Sequence, residues 1–241
     1  MPNNRYNPHN FVQRLSLMQR TIKSFVLRAG RVSNRQQLAL DQWLADYVLP
    51  EPIKPWCLAT EFGRSADTVV EIGFGMGASL FAMAKERPDV NFVGIEVHRA
   101  GIGSLVADLH EAGLNNVRVA PYDAVEVFKT SIADDTLTGV QLFFPDPWPK
   151  KRHHKRRLVQ VNFISSLLKK IKIGGFIHCA TDWQEYAEHM QWVFSQVPAL
   201  HNQQEDGGFA PRPVTRPLTK FEQRGHRLGH GVWDLIYSRA Y

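Results

Sequence analysis

The sequence predicts an α/β fold in which a doubly wound, mostly parallel β-sheet carries helices on both faces. Between residues 68 and 180, short β-branched apolar runs alternate with segments of helical periodicity, which is the pattern of βαβ units. The first of these strands ends in a glycine-rich turn that opens a helix. The length of 241 residues suits one large α/β domain with an extension, or two small domains.

Each element is predicted from its periodicity and its boundary residues. The predicted strands are residues 68–72, 91–97, 117–120, 139–144, 175–180 and 232–237, and the last is expected to lie antiparallel at or near a sheet edge. The predicted helices are residues 33–47, 78–86, 100–112, 157–171 and 183–197, with a further helix beginning at residue 124. Ser33 and Asp182 are expected to cap two of these helices, and Gly113 to end a third. The prolines between residues 50 and 55 indicate a linker.

Positive charge is concentrated in two segments of the chain. The formal net charge is +6 and the isoelectric point is near 9.4. Residues 1–40 hold seven Lys and Arg side chains and no acid, residues 150–157 hold six more and no acid, and the remainder carries 16 basic against 23 acidic side chains. This distribution indicates a polyanionic partner that is held at defined places.

The composition also excludes several classes of protein. Two cysteines, Cys57 and Cys179, exclude a disulfide scaffold and a CxxC zinc site, and both are expected to be buried apolar residues. No secretory signal or run of about 20 apolar residues is present, so we expect a cytoplasmic protein without a membrane partner. His226 and His230 are four residues apart, but the glycines around them disfavour a helix, so no metal site is expected.

The glycine-rich turn and two later strand ends provide the first candidate site residues. Residues 71–78, EIGFGMGA, fit both GxGxG and the dinucleotide form GxGxxG/A. Glu96 ends the next strand, 23 residues after Gly73, where a carboxylate can accept the ribose hydroxyls of a nucleoside. Asp123 follows the third strand, and is expected either to bind an adenine amino group or to cap the helix that begins at Ala124.

A proline-rich loop follows the fourth strand. Residues 143–157 read FFPDPWPKKRHHKRR, and the alternating prolines would hold Asp146, Trp148 and Lys150 at the carboxyl edge of the sheet. An aromatic ring there can stack on a base, and the basic run can contact phosphates. The run could also be a solvated helix start, but clustering six like charges is costly without an anionic partner.

Four blocks together resemble the bacterial tRNA (guanine-N7-)-methyltransferase family of class I S-adenosylmethionine-dependent methyltransferases. The blocks are Arg28-Ala29-Gly30-Arg31 with Gln36 and Leu40 (RxGR…Q…AL), residues 71–77 (EIGFGxG), residues 144–157 (FPDPWPKxRHxKRR) and residues 219–225 (TxFExxG). The resemblance implies a seven-stranded, Rossmann-like methyltransferase domain over residues 61–241. A basic arm, a helix and a proline-rich linker over residues 1–60 would precede that domain.

The resemblance also implies roles for individual residues. Asp146 would be the active-site residue, where the methyl group meets the acceptor. S-adenosylmethionine would be bound by Glu71, Gly73, Gly75, Gly77, Glu96, Asp123, Ala124 and Asp146. The acceptor guanine or its neighbourhood would be contacted by Lys150, Asp182, Thr219, Lys220, Phe221 and Glu222. RNA would be contacted by Arg152, His153, His154, Lys155, Arg156 and Arg157.

The implied reaction transfers the methyl group of S-adenosylmethionine to N7 of a guanine in the variable loop of tRNA, guanine 46 in tRNA numbering. Guanine N7 carries a lone pair and no proton, so no general base and no metal are required, and catalysis can consist mostly of positioning. The basic arm around residues 28–35 is expected to add affinity for tRNA and to leave cofactor binding unchanged. The oligomeric state, monomer or homodimer, stays open.

Three other classes of protein share some of these features. An NAD(P)-dependent oxidoreductase would have the same glycine loop, although no Tyr-x-x-x-Lys pattern accompanies it. Another nucleic-acid methyltransferase of Rossmann type, such as an amino-methylating enzyme with a [DN]PP[YFW] loop, is loosely similar around Asp146. A non-catalytic RNA-binding protein could retain the fold alone, but the acids at positions 71, 96, 123 and 146 argue against it.

Overall fold

The computed structural model describes residues 23–26, 30–218, 222 and 231–241. Its strands are β1 Thr68–Ile72, β2 Asn91–Ile95, β3 Val117–Ala120, β4 Leu137–Phe143, β5 Ile171–Thr181, β6 Leu200–Asn202 and β7 Trp233–Arg239. Its helices are α1 Asn34–Gln42, α2 Leu44–Tyr47, α3 Leu58–Phe62, α4 Ala78–Glu86, α5 Arg99–Ala112, α6 Ala124–Thr130, α7 Val161–Leu168 and α8 Gln184–Ser195, and a short 3₁₀ helix spans Lys151–Arg156.

The strands form one sheet in the order β3-β2-β1-β4-β5-β7-β6. The first five strands are parallel, and β7 runs antiparallel between β5 and β6. The strand order reverses between β1 and β4, because β2 and β3 follow on one side of β1 and the chain then returns to β4 on the other side. A crevice for ligands opens at the carboxyl ends of the strands at such a point. The predicted α/β class and the antiparallel position of the last strand are therefore confirmed, and the three-residue β6 is the strand that the sequence did not predict.

Both faces of the sheet are covered. Residues alternate along β1 between two apolar clusters, with Val69 in one and Val70 in the other, as side chains of successive strand residues must. Helix α1 belongs to this packing, because its Ala39 and Leu40 join the cluster that contains Val69. Ion pairs from Arg35 to Asp108 and Glu111 hold α1 against α5.

Several predicted element boundaries are confirmed. Strand β1, helix α4 and strand β3 have the predicted limits, and Gly113 ends α5 in a left-handed conformation. Ser33 caps α1 and forms a capping box with Gln36. The helix predicted over residues 33–47 is broken at Trp43, whose ring stacks on His110 at 4.0 Å.

Three other local predictions were wrong. Asp182 does not cap α8: Trp183 occupies that position, and its N–H donates to the hydroxyl of Thr181. The helix predicted over residues 157–171 is replaced by the 3₁₀ helix and the shorter α7, because the chain is extended at Arg157 and at Gln160. Cys179 is buried as expected, but Cys57 is exposed.

Among the described residues, none of the helices has the length and apolar character that crossing a bilayer requires.

Candidate active site

The glycine-rich turn between β1 and α4 has backbone conformations that favour glycine. Gly73, Gly75 and Gly77 have φ values of 73°, 57° and 84°. A Cβ atom at Gly77 would also lie 2.7 Å from the Cβ atom of Leu105 on α5. On the same helix, a Cβ atom at Gly101 would lie 2.0 Å from the carbonyl oxygen of Gly75. Helix α5 therefore packs directly against the turn.

Glu96 closes this turn from the end of β2. One carboxylate oxygen, Oε2, accepts the N–H of Gly75 at 2.9 Å. The other, Oε1, accepts the backbone N–H groups of Val97 and His98 at 2.7 and 3.0 Å, and lies 3.0 Å from Nδ1 of His98. These donors fix the orientation of a buried carboxylate beside the glycine turn, where it can accept hydroxyl donors from a ligand.

Glu71 lies beneath the turn in the middle of the sheet. Its side chain is buried, and its Oε2 has no hydrogen-bond partner among the described residues. Burial, together with the charge of Glu96, raises the pKa of Glu71 to about 8. Gln141, its neighbour on β4, is also buried, and its Oε1 likewise has no hydrogen-bond partner within the residues that the structure describes. Two adjacent acceptors without donors are suited to a cationic or hydrogen-bond-donating ligand group.

Asp123 follows β3 and caps α6. Its Oδ1 accepts the N–H of Val125 at 3.0 Å, so the capping alternative is confirmed. The neighbouring Ala124 lines the pocket described below. A contact between Asp123 and an adenine stays a prediction.

The loop after β4 is strained on both sides of Asp146. Phe144 and Trp148 have φ values of 50° and 46°, a left-handed conformation that costs roughly 1–3 kcal/mol for each non-glycine residue. Asp146 lies between them and is exposed. Such strain is found where the surrounding structure holds a functional group in place.

One pocket joins these parts. It has a volume of about 210 Å³ and lies at the carboxyl ends of β1, β2 and β4. Four predicted site residues line it, namely Gly73, Glu96, Ala124 and Asp146. The glycine turn, the carboxylate of Glu96 and the strained loop therefore share a single site.

The N-terminal arm also reaches this pocket. Ser24 and Phe25 are among its lining residues. The carbonyl oxygen of Ser24 accepts the indole N–H of Trp148 at 3.3 Å, and the carbonyl oxygen of Val26 lies 3.2 Å from Nε2 of His98. Sequence reasoning missed Phe25 and His98 as site residues, and the position of His98 two residues after Glu96 was the only local signal. Residues 23–26 therefore form part of the site, and are not independent of it.

The basic segment after the loop divides into exposed and buried cations. Lys150, Lys151, Arg152 and Lys155 are exposed. Arg156 lies over the ring of Trp148, with 4.9 Å between its guanidinium carbon and the ring centroid. The half-buried His153 meets the same ring edge-on, and the half-buried His154 lies close to Arg157.

Arg157 differs from its neighbours because its side chain is only 1% exposed. It donates to the carbonyl of Pro147 at 2.8 Å and to both carboxylate oxygens of Glu185 at 3.2 and 3.0 Å. Its guanidinium carbon also lies 4.8 Å from the ring centroid of Tyr186. Arg157 therefore fastens the loop to α8. The predicted RNA contact would require an exposed guanidinium, and the guanidinium of Arg157 is buried.

The predicted acceptor-site residues are found in different surroundings. Lys150 is exposed at the start of the 3₁₀ helix, and Asp182 is half-buried after β5. Glu222 is buried and paired with Arg216, so its carboxylate does not face the surface. Thr219, Lys220 and Phe221 lie outside the described residues, as do Arg28, His226 and His230.

Comparison with known sequences identifies the family. Residues 65–235 match a family model described as a putative methyltransferase. A tRNA (guanine-N(7)-)-methyltransferase of Legionella pneumophila (strain Paris) is 66% identical over 224 residues, which cover 92% of this chain and 94% of that protein. One from Shewanella baltica is 56% identical over 220 residues, covering 91% and 92%. The chain belongs to the tRNA (guanine-N(7)-)-methyltransferase family.

Solved structures related to this tRNA (guanine-N(7)-)-methyltransferase family member have the same fold. A 16S rRNA (adenine(1408)-N(1))-methyltransferase from Catenulisporales acidiphilia is 15% identical, with a TM-score of 0.52 over 76% of this chain and 90% of that one. The antibiotic-resistance methyltransferase Kmr is 12% identical, with a TM-score of 0.51 over 76% and 92%. The Rossmann-like class I methyltransferase fold is therefore confirmed, and family membership removes the oxidoreductase alternative.

Proposed function

We propose that this chain transfers the methyl group of S-adenosylmethionine to N7 of a guanine in the variable loop of tRNA, guanine 46 in tRNA numbering. The observation that carries the proposal is that Asp146 lines one pocket together with Gly73 and Glu96. Relatives that are 56–66% identical to this chain are named tRNA (guanine-N(7)-)-methyltransferases, which supports the proposal.

The residues in and next to the pocket fit S-adenosylmethionine, which supplies a methyl group on a cationic sulfonium. Glu71 and Gln141 do not line the pocket themselves, but they adjoin its lining residues Ile72 and Leu142 and offer buried acceptors that have no donor among the described residues, which suits an ammonium group. Glu96, held by three backbone N–H groups, is placed to accept ribose hydroxyls. Asp123 would lie near the adenine and would bind it in addition to capping α6.

The acceptor side of the reaction depends on Asp146. Guanine N7 needs no deprotonation, so the chain has to place N7 in line with the methyl group, about 3 Å from its carbon. The positive charge passes from the sulfonium to the guanine, and a nearby carboxylate stabilises it in both states. Carboxylates near the guanine would also accept from its N1–H and exocyclic amine, whereas adenine presents a lone pair at N1 and would be rejected.

In this proposal, the exposed cations bind the phosphate backbone of the tRNA. Lys150, Lys151, Arg152 and Lys155 extend from the active-site loop into solvent, where they can contact phosphates beside the target base. We propose a cytoplasmic location, since tRNA is the expected substrate. The cost of unstacking the target base, a few kcal/mol, would be offset by these phosphate contacts and by an aromatic contact such as Trp148.

The proposal is tested by incubating the purified protein with total tRNA and S-adenosylmethionine labelled in its methyl group. Chemical cleavage at 7-methylguanosine then maps the labelled nucleotide, and we expect a single position in the variable loop. Label on another base or on an exocyclic amine would assign the chain to a different class of nucleic-acid methyltransferase. Absence of label in RNA would contradict the proposal.

A further inference from the structure

A buried ionic cluster lies beside the candidate active site. At its centre is Arg216, whose side chain is 1% exposed. Its guanidinium donates to both carboxylate oxygens of Glu222, at 2.6 and 2.8 Å, and to both carboxylate oxygens of Asp234, at 2.8 Å each. Two bidentate pairs on one planar guanidinium fix the direction and the distance of both carboxylates.

The cluster is anchored on the sheet. Asp234 lies on β7, and its Oδ1 is 2.7 Å from Nε2 of His178 on β5, the strand paired with β7. Because a carboxylate accepts, this imidazole nitrogen carries the proton. The Arg216 and His178 partners hold the pKa of Asp234 below its usual value, although burial alone would raise it.

The cluster also touches the base of the loop that carries Asp146. The guanidinium carbon of Arg216 lies 5.9 and 5.6 Å from the ring centroids of Phe143 and Phe144. The ring of His178 packs edge-on against Phe143 at 4.9 Å. Phe144 has the left-handed backbone that turns the chain into Pro145 and Asp146, and both phenylalanines line the pocket.

Stability alone gives no reason for such a cluster. Removing an arginine and two carboxylates from water carries a large desolvation penalty, and apolar side chains of similar volume often give equal or greater stability. Directional pairs, in contrast, define one relative placement of the segments that carry them. Here Arg216 connects Glu222, the strand β7 and the base of the Asp146 loop.

We propose that Arg216 is a positioning residue for methyl transfer, which docks Glu222 against the Phe143–Phe144 base of the Asp146 loop. The proposal rests on the proposed function, because Glu222 ends the stretch 219–222 that is expected to contact the guanine. Glu222 acts through Arg216 and does not touch the guanine itself, since both of its oxygens face the guanidinium and its side chain is 1% exposed.

The test compares Arg216→Lys, which keeps the charge but loses the bidentate geometry, with the parent enzyme. We expect the single-turnover rate at saturating tRNA to fall about 100-fold, because a displacement of about 1 Å in a positioning contact has that effect. Affinity for S-adenosylhomocysteine, measured by calorimetry, is expected to match the parent. Arg239→Lys is the control, since Arg239 lies on β7 with Asp234, the partner of Arg216, but pairs with Asp135 at the opposite end of the strand.

A double variant separates positioning from direct contact by Glu222. If Glu222 acts through Arg216, the variant Arg216→Lys/Glu222→Gln loses no more rate than the worse single variant. Losses that multiply would overturn the proposal, as would a parental rate in Arg216→Lys or an equal loss of S-adenosylhomocysteine affinity. If lysine at position 216 prevents folding, Glu222→Gln alone is compared with the parent, and a parental single-turnover rate would overturn the proposal. A parent that forms no 7-methylguanosine would contradict the proposed function instead.

Discussion

At the scale of single residues, the candidate site depends on acids in different environments. Glu71 is buried without a hydrogen-bond partner in the described part of the chain, and its pKa is raised to about 8. Asp146 is exposed on a strained loop. Glu71 therefore favours its protonated form, whereas the carboxylate of Asp146 is open to solvent, where the proposed function would have it meet the target base.

The raised pKa of Glu71 predicts how stability changes with pH. Because the ordinary value is 4.5 and the folded value is about 8, the contribution of Glu71 to stability is full below pH 4.5 and is lost as pH rises through 8. Without ligand, the parent should lose stability relative to Glu71→Gln over this range, by at most about 1.4 kcal/mol per pH unit. Melting temperatures between pH 5 and 9 measure this.

The control for this experiment is Glu205→Gln, a change at an exposed acid. Its melting curve should follow the parent at every pH. A difference between parent and Glu71→Gln that stays constant from pH 5 to pH 9 would show that Glu71 does not titrate in this interval.

The exposed position of Asp146 predicts loss of activity without loss of the fold. We expect Asp146→Ala to lower the single-turnover rate of methyl transfer by about 100-fold or more, because in the proposed function the carboxylate would face the charge that develops on the guanine. The melting temperature should be close to that of the parent. Asp206→Ala, at another exposed acid, serves as the control, and a near-parental rate in Asp146→Ala would refute the assignment.

At the scale of elements, the site is assembled from segments that are distant in the sequence. The strained loop is fastened to α8 through Arg157 and Glu185, and to residues 23–26 through Trp148 and Ser24. The expectation for residues 28–35, that they add affinity for tRNA and leave cofactor binding unchanged, does not extend to residues 23–26, because Phe25 lines the same pocket as Glu96.

This placement predicts an effect of the arm on cofactor affinity. Phe25→Ala removes a half-buried aromatic ring from the pocket wall, so the dissociation constant of S-adenosylhomocysteine should rise about tenfold, equivalent to about 1.4 kcal/mol. Val26→Ala is the matched control, since that side chain is exposed and does not line the pocket. Equal affinity in Phe25→Ala and the parent would show that Phe25 does not contribute to cofactor binding.

At the scale of the whole molecule, the charge is distributed so that binding of RNA and of cofactor depend differently on salt. The exposed cations of residues 150–155 directly follow the loop that carries Asp146. Outside residues 1–40 and 150–157, the chain has a net negative charge. Long-range attraction of tRNA is therefore concentrated beside the pocket.

Replacing Lys151, Arg152 and Lys155 with alanine tests this distribution. The slope of log affinity for tRNA against log salt concentration should become shallower by about 0.9 for each lost phosphate contact, and affinity for S-adenosylhomocysteine should stay unchanged. Filter binding between about 50 and 200 mM salt measures the slope. Lys85→Ala, an exposed cation near the end of α4, should keep the parental slope, and an unchanged slope in the triple variant would remove this segment from the tRNA interface.

Local chemistry allowed much of this molecule to be predicted from its sequence. The strand β1, the glycine turn and the cap at Ser33 depend on periodicity and backbone preference over a few residues, and the structure has them where they were expected. The prediction that Gly73, Glu96 and Asp146 share one edge followed from the carboxyl ends of parallel strands.

Long-range packing decided the rest. The burial of Arg157, the pairing of Arg216 with Glu222 and Asp234, and the contact of Ser24 with Trp148 across 124 residues have no signal in any sequence window. A charged side chain looks the same in sequence whether it faces water or a buried partner. Its role is determined by which groups the fold brings within hydrogen-bond distance, because an interior charge is stable only when such partners are present.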